Sequence, residues 1–141
     1  ADLVEAMRPE YEAIVADGFD LQLDAPDLAM AAHTGFQSLS EAEFLRRAEQ
    51  NVEALNAATA NIPPERMRMH ICWGNYEGPH DHDIPLERVI DIVTEAAAGR
   101  VPVIAPVAVD DELMALNVNA DSVATAAVSA ACRSASVAAT R

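Results

Sequence analysis

An α/β fold built from parallel βα units is the class this sequence predicts. Three observations lead to it. Segments of helical periodicity alternate with short segments of strand periodicity, in the order helix–strand–helix–strand–helix. The strand segments alternate apolar and polar residues, so each offers one apolar face. The chain is 51% hydrophobic but only 4% aromatic, so its core must be assembled mainly from Ala, Val, Leu and Ile. At 141 residues it is long enough for one modest domain with a core of its own.

Residues 3–17 read as a helix, with Leu3, Met7, Tyr11, Ile14 and Val15 on its apolar side. Pro9 interrupts that pattern and suits the first turn of a shorter helix. Gly18 is a stop signal just beyond it. Phe19 to Asp24 alternates as a strand, which Ala25-Pro26-Asp27 breaks, and a loop follows through His33, Gly35 and Ser38. Ser40-Glu41-Ala42-Glu43 is a capping box. It opens a helix to about Ala60 with Phe44, Leu45, Ala48, Val52, Leu55 and Ala58 on one face. After Ile62-Pro63-Pro64 comes a second strand, with Met67, Met69 and Ile71 facing one way and Arg68, His70 and Cys72 the other. A polar loop, Gly74 to Asp83, precedes a third helix that Pro85 opens and that runs to about Ala98. Val101 to Ala105 is a third strand, with Pro102 favouring its start or a sheet edge. The Ala-rich tail from Asn119 reads as a helix capped by Asn119 or Asp121.

Charge narrows the function classes. The net charge is −14, and all nine basic residues are Arg. A nucleic-acid partner needs clustered cations to neutralise phosphates, and an anionic membrane surface needs the same, so neither is expected. No run of about 18 apolar residues is present to span a membrane. The first residues are acidic and show no basic n-region, so the expected location is cytoplasmic. Cys72 and Cys132 lie far apart in sequence, and a cytosolic chain more often uses Cys for metal or chemistry than for a disulfide.

The most specific local chemistry is His70-Ile71-Cys72 at a strand end. Residues two apart project to the same side of a strand. An imidazole and a thiolate are donors that Zn²⁺ prefers. Taken alone, the pair also suits a purely structural role. Asp24 closes the first strand and equally suits a turn before Ala25-Pro26.

The segment Glu12 to Pro26 resembles the "helix, Gly, I-Q-I-D-E-P" stretch of cobalamin-independent methionine synthase, and Met69 to Tyr76 resembles the strand bearing that family's H-x-C zinc ligands. The block Cys72 to Leu86 is similar to short bacterial paralogues of that synthase, which include zinc alkyltransferases acting on thiols. The resemblance covers roughly residues 5–93. It implies a partial (β/α)₈ TIM-barrel fragment, with His70 and Cys72 as zinc ligands at the C-terminal ends of strands, where such barrels place their sites. It implies that Asp24 holds the amino group of a small-molecule thiol substrate. Ala25 stands where the synthase has Glu. Trp73 and Tyr76 either line the substrate mouth or pack the loop. His80-Asp81-His82 either supplies a ligand or proton relay or is simply a polar loop. His33 has no assigned role.

From about Thr94 the sequence changes character. Ala98 to Asp110 and Leu116 to Ala124 resemble the middle of acetylglutamate kinase, whose N-x-N-A-D motif would make Asn117 a substrate contact and Asp121 a carboxylate organising catalytic lysines. The plain alternative is that Asn119-Ala120-Asp121 starts a helix. Phosphoryl transfer needs positioned cations and a phosphate-cradling loop. The chain has no Lys and no Gly after Gly99, so no autonomous kinase activity is expected. The expected organisation is therefore a methionine-synthase-like segment, residues 1–94, followed by a kinase-like segment, residues 95–141, joined by fusion, rearrangement or design. The synthase family's third and fourth ligands, a Glu and a Cys, come from strands beyond that join. The functional expectation is zinc-dependent methyl or alkyl transfer to a thiol, at a site left incomplete. The alternatives are an amino-acid-binding segment without kinase activity and a non-catalytic structural fragment. A complete barrel needs roughly 200 residues or more, so unpaired strand edges and self-association through them are also expected.

Overall fold

In the computed structural model of this chain, residues 2–74, 81–95, 103–109 and 112–118 are described. Helix α1 spans Asp2–Ala16, strand β1 Leu21–Asp24, helix α2 Met30–Thr34, helix α3 Glu41–Ala58, strand β2 Met67–His70, helix α4 Leu86–Thr94, strand β3 Val103–Val109 and strand β4 Glu112–Val118. The four strands form one sheet in the order β1-β2-β3-β4. The β1–β2 and β2–β3 pairs are parallel and the β3–β4 pair is antiparallel. The class is thus mixed α/β, and the sheet is continuous across the change in sequence character near residue 94. Among the described residues, no helix is long and apolar enough to cross a membrane.

The core follows the alternation of the strands. Leu21 and Leu23 of β1, Met67 and Met69 of β2, and Ile71 beyond it are buried with Phe44, Ala48 and Val52 of α3 and Leu86, Val89, Ile90 and Val93 of α4. Parallel neighbours need crossover connections, and such crossovers are right-handed in nearly all proteins. Strands added in one direction, β1 then β2 then β3, therefore carry their helices on the same face. In keeping with this, α3 lies against both α1 and α4. Polar bonds clasp these helices: Asn61 Nδ2 donates to Glu12 Oε1 at 2.7 Å, and Asn56 Nδ2 to the Glu95 carbonyl at 3.1 Å. Arg88 pairs with Glu41, its Nε donating at 2.7 Å.

Five local expectations are corrected. Pro9 lies inside α1 rather than in its first turn. The helix persists because Tyr11, Ile14 and Val15 pack on the core, and because Arg8 donates across to the Ala57 carbonyl at 2.8 Å. This tertiary hold offsets the roughly 3 kcal/mol that an interior proline costs. Leu3, assigned to the apolar side, is 70% exposed and lines a cavity with Met7 and Tyr11 instead of entering the core. Phe19 is 67% exposed, and the strand begins two residues later at Leu21, where pairing with Met67 begins. The segment read as loop holds a 3₁₀ turn, Pro26–Leu28, and then α2, because Leu28 and Ala29 bury fully and pull the chain inward. Finally, Glu112–Val118 forms β4, for which no strand was expected. Only Asp110 and Asp111 separate it from β3, a length that permits an antiparallel return and no crossover. The polar loop's Tyr76, Glu77 and His80, the Ala-rich tail with Asp121, and Cys132 lie outside the described residues.

Candidate metal centre

The register of the β1–β2 ladder builds the site. Leu21 pairs with Met67, Gln22 with Arg68, Leu23 with Met69 and Asp24 with His70. Alternation sends the leucines and methionines into the core and leaves Gln22, Asp24, Arg68 and His70 on the other face. Cross-strand neighbours on that face bond to each other: Arg68 Nε donates to Gln22 Oε1 at 2.7 Å, and His70 Nδ1 lies 2.6 Å from Asp24 Oδ1. Two main-chain bonds continue the order past the strand ends. Ala25 N donates to the His70 carbonyl at 2.9 Å, and Met30 N to the Cys72 carbonyl at 3.2 Å. With Ile71 fully buried, Cys72 follows the alternation to the side of His70.

One donor atom from each of Asp24, His70 and Cys72 lies within 4.8 Å of the other two. The set sits at the C-terminal ends of two parallel strands. It is open to solvent: the side chains of His70 and Asp24 are 33% and 64% exposed, and Cys72 is a half-buried free thiol. An imidazole nitrogen, a thiol sulfur and a carboxylate oxygen form a donor set that Zn²⁺ accepts. His70 and Cys72 supply nitrogen and sulfur donors on one side of the strand end, and the Asp24 carboxylate stands beside the imidazole. These residues therefore fit a metal ion.

The remaining expected residues divide. Trp73, half-buried, packs on the core and donates its indole N–H to the Ile84 carbonyl at 2.7 Å, and Gly74 after it has a φ of +81°. By Cα pairing, Asp24, His70, Ile104 and Asn117 fall on one row across all four strands. At about 4.8 Å per strand, this puts the Asn117 backbone roughly 10 Å from that of His70. Of the polar loop, His82 and Asp81 are exposed, with Nε2 3.8 Å from Oδ1. His33, for which no role is expected, is 6% exposed on α2. It faces Asp83 at 3.9 Å, with its ring 6.1 Å from that of His82.

Sequence reasoning placed Asp24 and His70 at strand ends but missed that they bond to each other. The usable signal was there: adjacent parallel strands of equal length that end in polar residues bring those ends side by side. Comparisons with protein-family models, with curated proteins and with solved structures give no match to this chain.

Proposed function

We propose that this chain carries the metal-binding part of a zinc-dependent site for methyl or alkyl transfer to a small-molecule thiol. The observation that carries the reading is the convergence of Asp24, His70 and Cys72 donors within 4.8 Å at the ends of β1 and β2. His70 and Cys72 hold the metal, and Asp24 supports the site from the neighbouring strand. Trp73 shapes the mouth by fixing the loop that follows Cys72. Bound there, Zn²⁺ would lower the pKa of an incoming thiol and so favour its thiolate, the nucleophilic form, at neutral pH.

Two further features support this reading. The resemblance of roughly residues 5–93 to cobalamin-independent methionine synthase and its short bacterial paralogues falls on these same residues. The one-directional strand order β1-β2-β3 with helices on a single face suits a segment of a (β/α) barrel, whose chemistry lies at strand C-termini. The antiparallel β4 departs from that architecture, so the barrel-like part ends at β3. A reducing, cytoplasmic setting would keep Cys72 available as a ligand.

Metal content tests the proposal. Purified protein is expected to retain zinc, and His70→Ala and Cys72→Ala are each expected to lose most of it. Equal zinc in all three proteins removes the reading.

A further inference from the structure

We propose that Asp24 is the positioning residue of His70: its carboxylate accepts a hydrogen bond from Nδ1–H and leaves Nε2 as the metal-binding atom. The inference rests on the metal-centre reading above. It differs from the role that sequence resemblance gives Asp24, a contact for the substrate's amino group.

Distance decides between the two ways a carboxylate can serve a metal site. Nitrogen and oxygen ligands bind zinc at about 2.0–2.1 Å, so two of them on one tetrahedral ion stand roughly 3.3 Å apart. His70 Nδ1 and Asp24 Oδ1 are 2.6 Å apart. That is too close for co-ligands, and it is the spacing of a short charge-assisted hydrogen bond. A carboxylate can only accept, so the proton sits on Nδ1. A neutral imidazole has one N–H, and its lone pair is then on Nε2. A carboxylate behind the ligating histidine fixes the tautomer, holds the ring plane and raises the basicity of the other nitrogen.

The backbone makes this arrangement durable. Asp24 is in register with His70, and the bond from Ala25 N to the His70 carbonyl at 2.9 Å locks the pairing one residue further on. On the other side, the Arg68–Gln22 bond at 2.7 Å holds the preceding pair. The Asp24 side chain is 64% exposed, so its position comes from this bond and this register rather than from packing.

The test uses two substitutions in the full chain. Asp24→Asn keeps an oxygen acceptor for the Nδ1 proton; Asp24→Ala removes it. In metal-free protein at mildly alkaline pH, nitrogen-15 NMR is expected to show His70 as the Nδ1–H tautomer in wild type and in Asp24→Asn. Asp24→Ala is expected to move it to Nε2–H. Zinc titration is expected to show affinity about 10- to 100-fold weaker in Asp24→Ala, with Asp24→Asn recovering most of the loss. An Nε2–H tautomer in the wild type overturns the proposal. So does an Asp24→Asn protein that loses as much affinity as Asp24→Ala, since an amide is a poor zinc ligand and that result would make Asp24 a ligand itself. Wild-type protein that binds no zinc would remove the metal reading, and the tautomer measurement would still decide whether Asp24 governs His70.

Discussion

Gly18 ends α1 in a hydrogen-bonded arrangement that its neighbours define. Phe19 N bonds to the Ile14 carbonyl at 3.3 Å and Gly18 N to the Val15 carbonyl at 3.1 Å, the paired bonds of a Schellman motif. The motif requires a left-handed residue, and Gly18 has a φ of +94°. A Cβ built at Gly18 would meet no atom within 4 Å, so a side chain there is opposed by backbone conformation and not by crowding. Gly18→Ala is therefore expected to destabilise the fold by about 1–2 kcal/mol, read as a lower midpoint in urea with an unchanged slope. An unchanged midpoint would mean that the turn relaxes at no cost.

The start of α3 shows what an element owes to its first residues. Ser40 N and Oγ both donate to Glu43 Oε2, at 2.9 and 2.6 Å, and Glu43 N donates back to Ser40 Oγ at 3.4 Å. The Ser40 hydroxyl, and next the Ser40 backbone N–H, hold the Glu43 carboxyl below its ordinary value. A group whose pKa is lowered by folding adds stability that is full above its unfolded value and is lost as the pH falls through the folded one. The melting temperature of wild type is thus expected to exceed that of Glu43→Gln near neutral pH, with the gap closing as the pH drops below the usual glutamate range. Thermal melts across a pH series check this. A gap that stays constant into acid would show that the negative charge contributes nothing.

At the scale of the molecule, helices cover one face of the sheet and β1 stands at its edge. Among the described residues, no strand pairs with the outer side of β1. A cavity of about 370 Å³ runs beside that strand, lined in part by Met7 and Tyr11 of α1, Gln22 and Asp24 of β1, and Asn51 and Leu55 of α3. Unpaired edges invite pairing with another chain. The net charge of −14 opposes it by repulsion that salt screens. We therefore propose self-association that strengthens with protein concentration and with added salt. Sedimentation velocity over a range of both measures it, and a single monomeric species throughout would remove the idea.

Much of this fold was legible residue by residue, because the relevant physics is local. Period-two alternation identified Met67, Met69 and Ile71 as core and sent His70 and Cys72 to one side. A three-residue spacing identified the Ser40–Glu43 cap, and a glycine after an apolar helix identified the turn at Gly18. Each signal depends on residues a few positions apart. The tertiary structure alone decided features whose partners are distant in the chain. Pro9 stays helical because the core holds α1 beyond it, at Tyr11, Ile14 and Val15, and Arg8 bonds to the Ala57 carbonyl before it. His33 is buried because α2 docks where Met30 meets Cys72. The bond from His70 to Asp24 exists because two strands 46 residues apart align in one register. Sequence determined which side chains with metal-binding chemistry stand at the strand ends; register, a property of the paired sheet, determined that they meet.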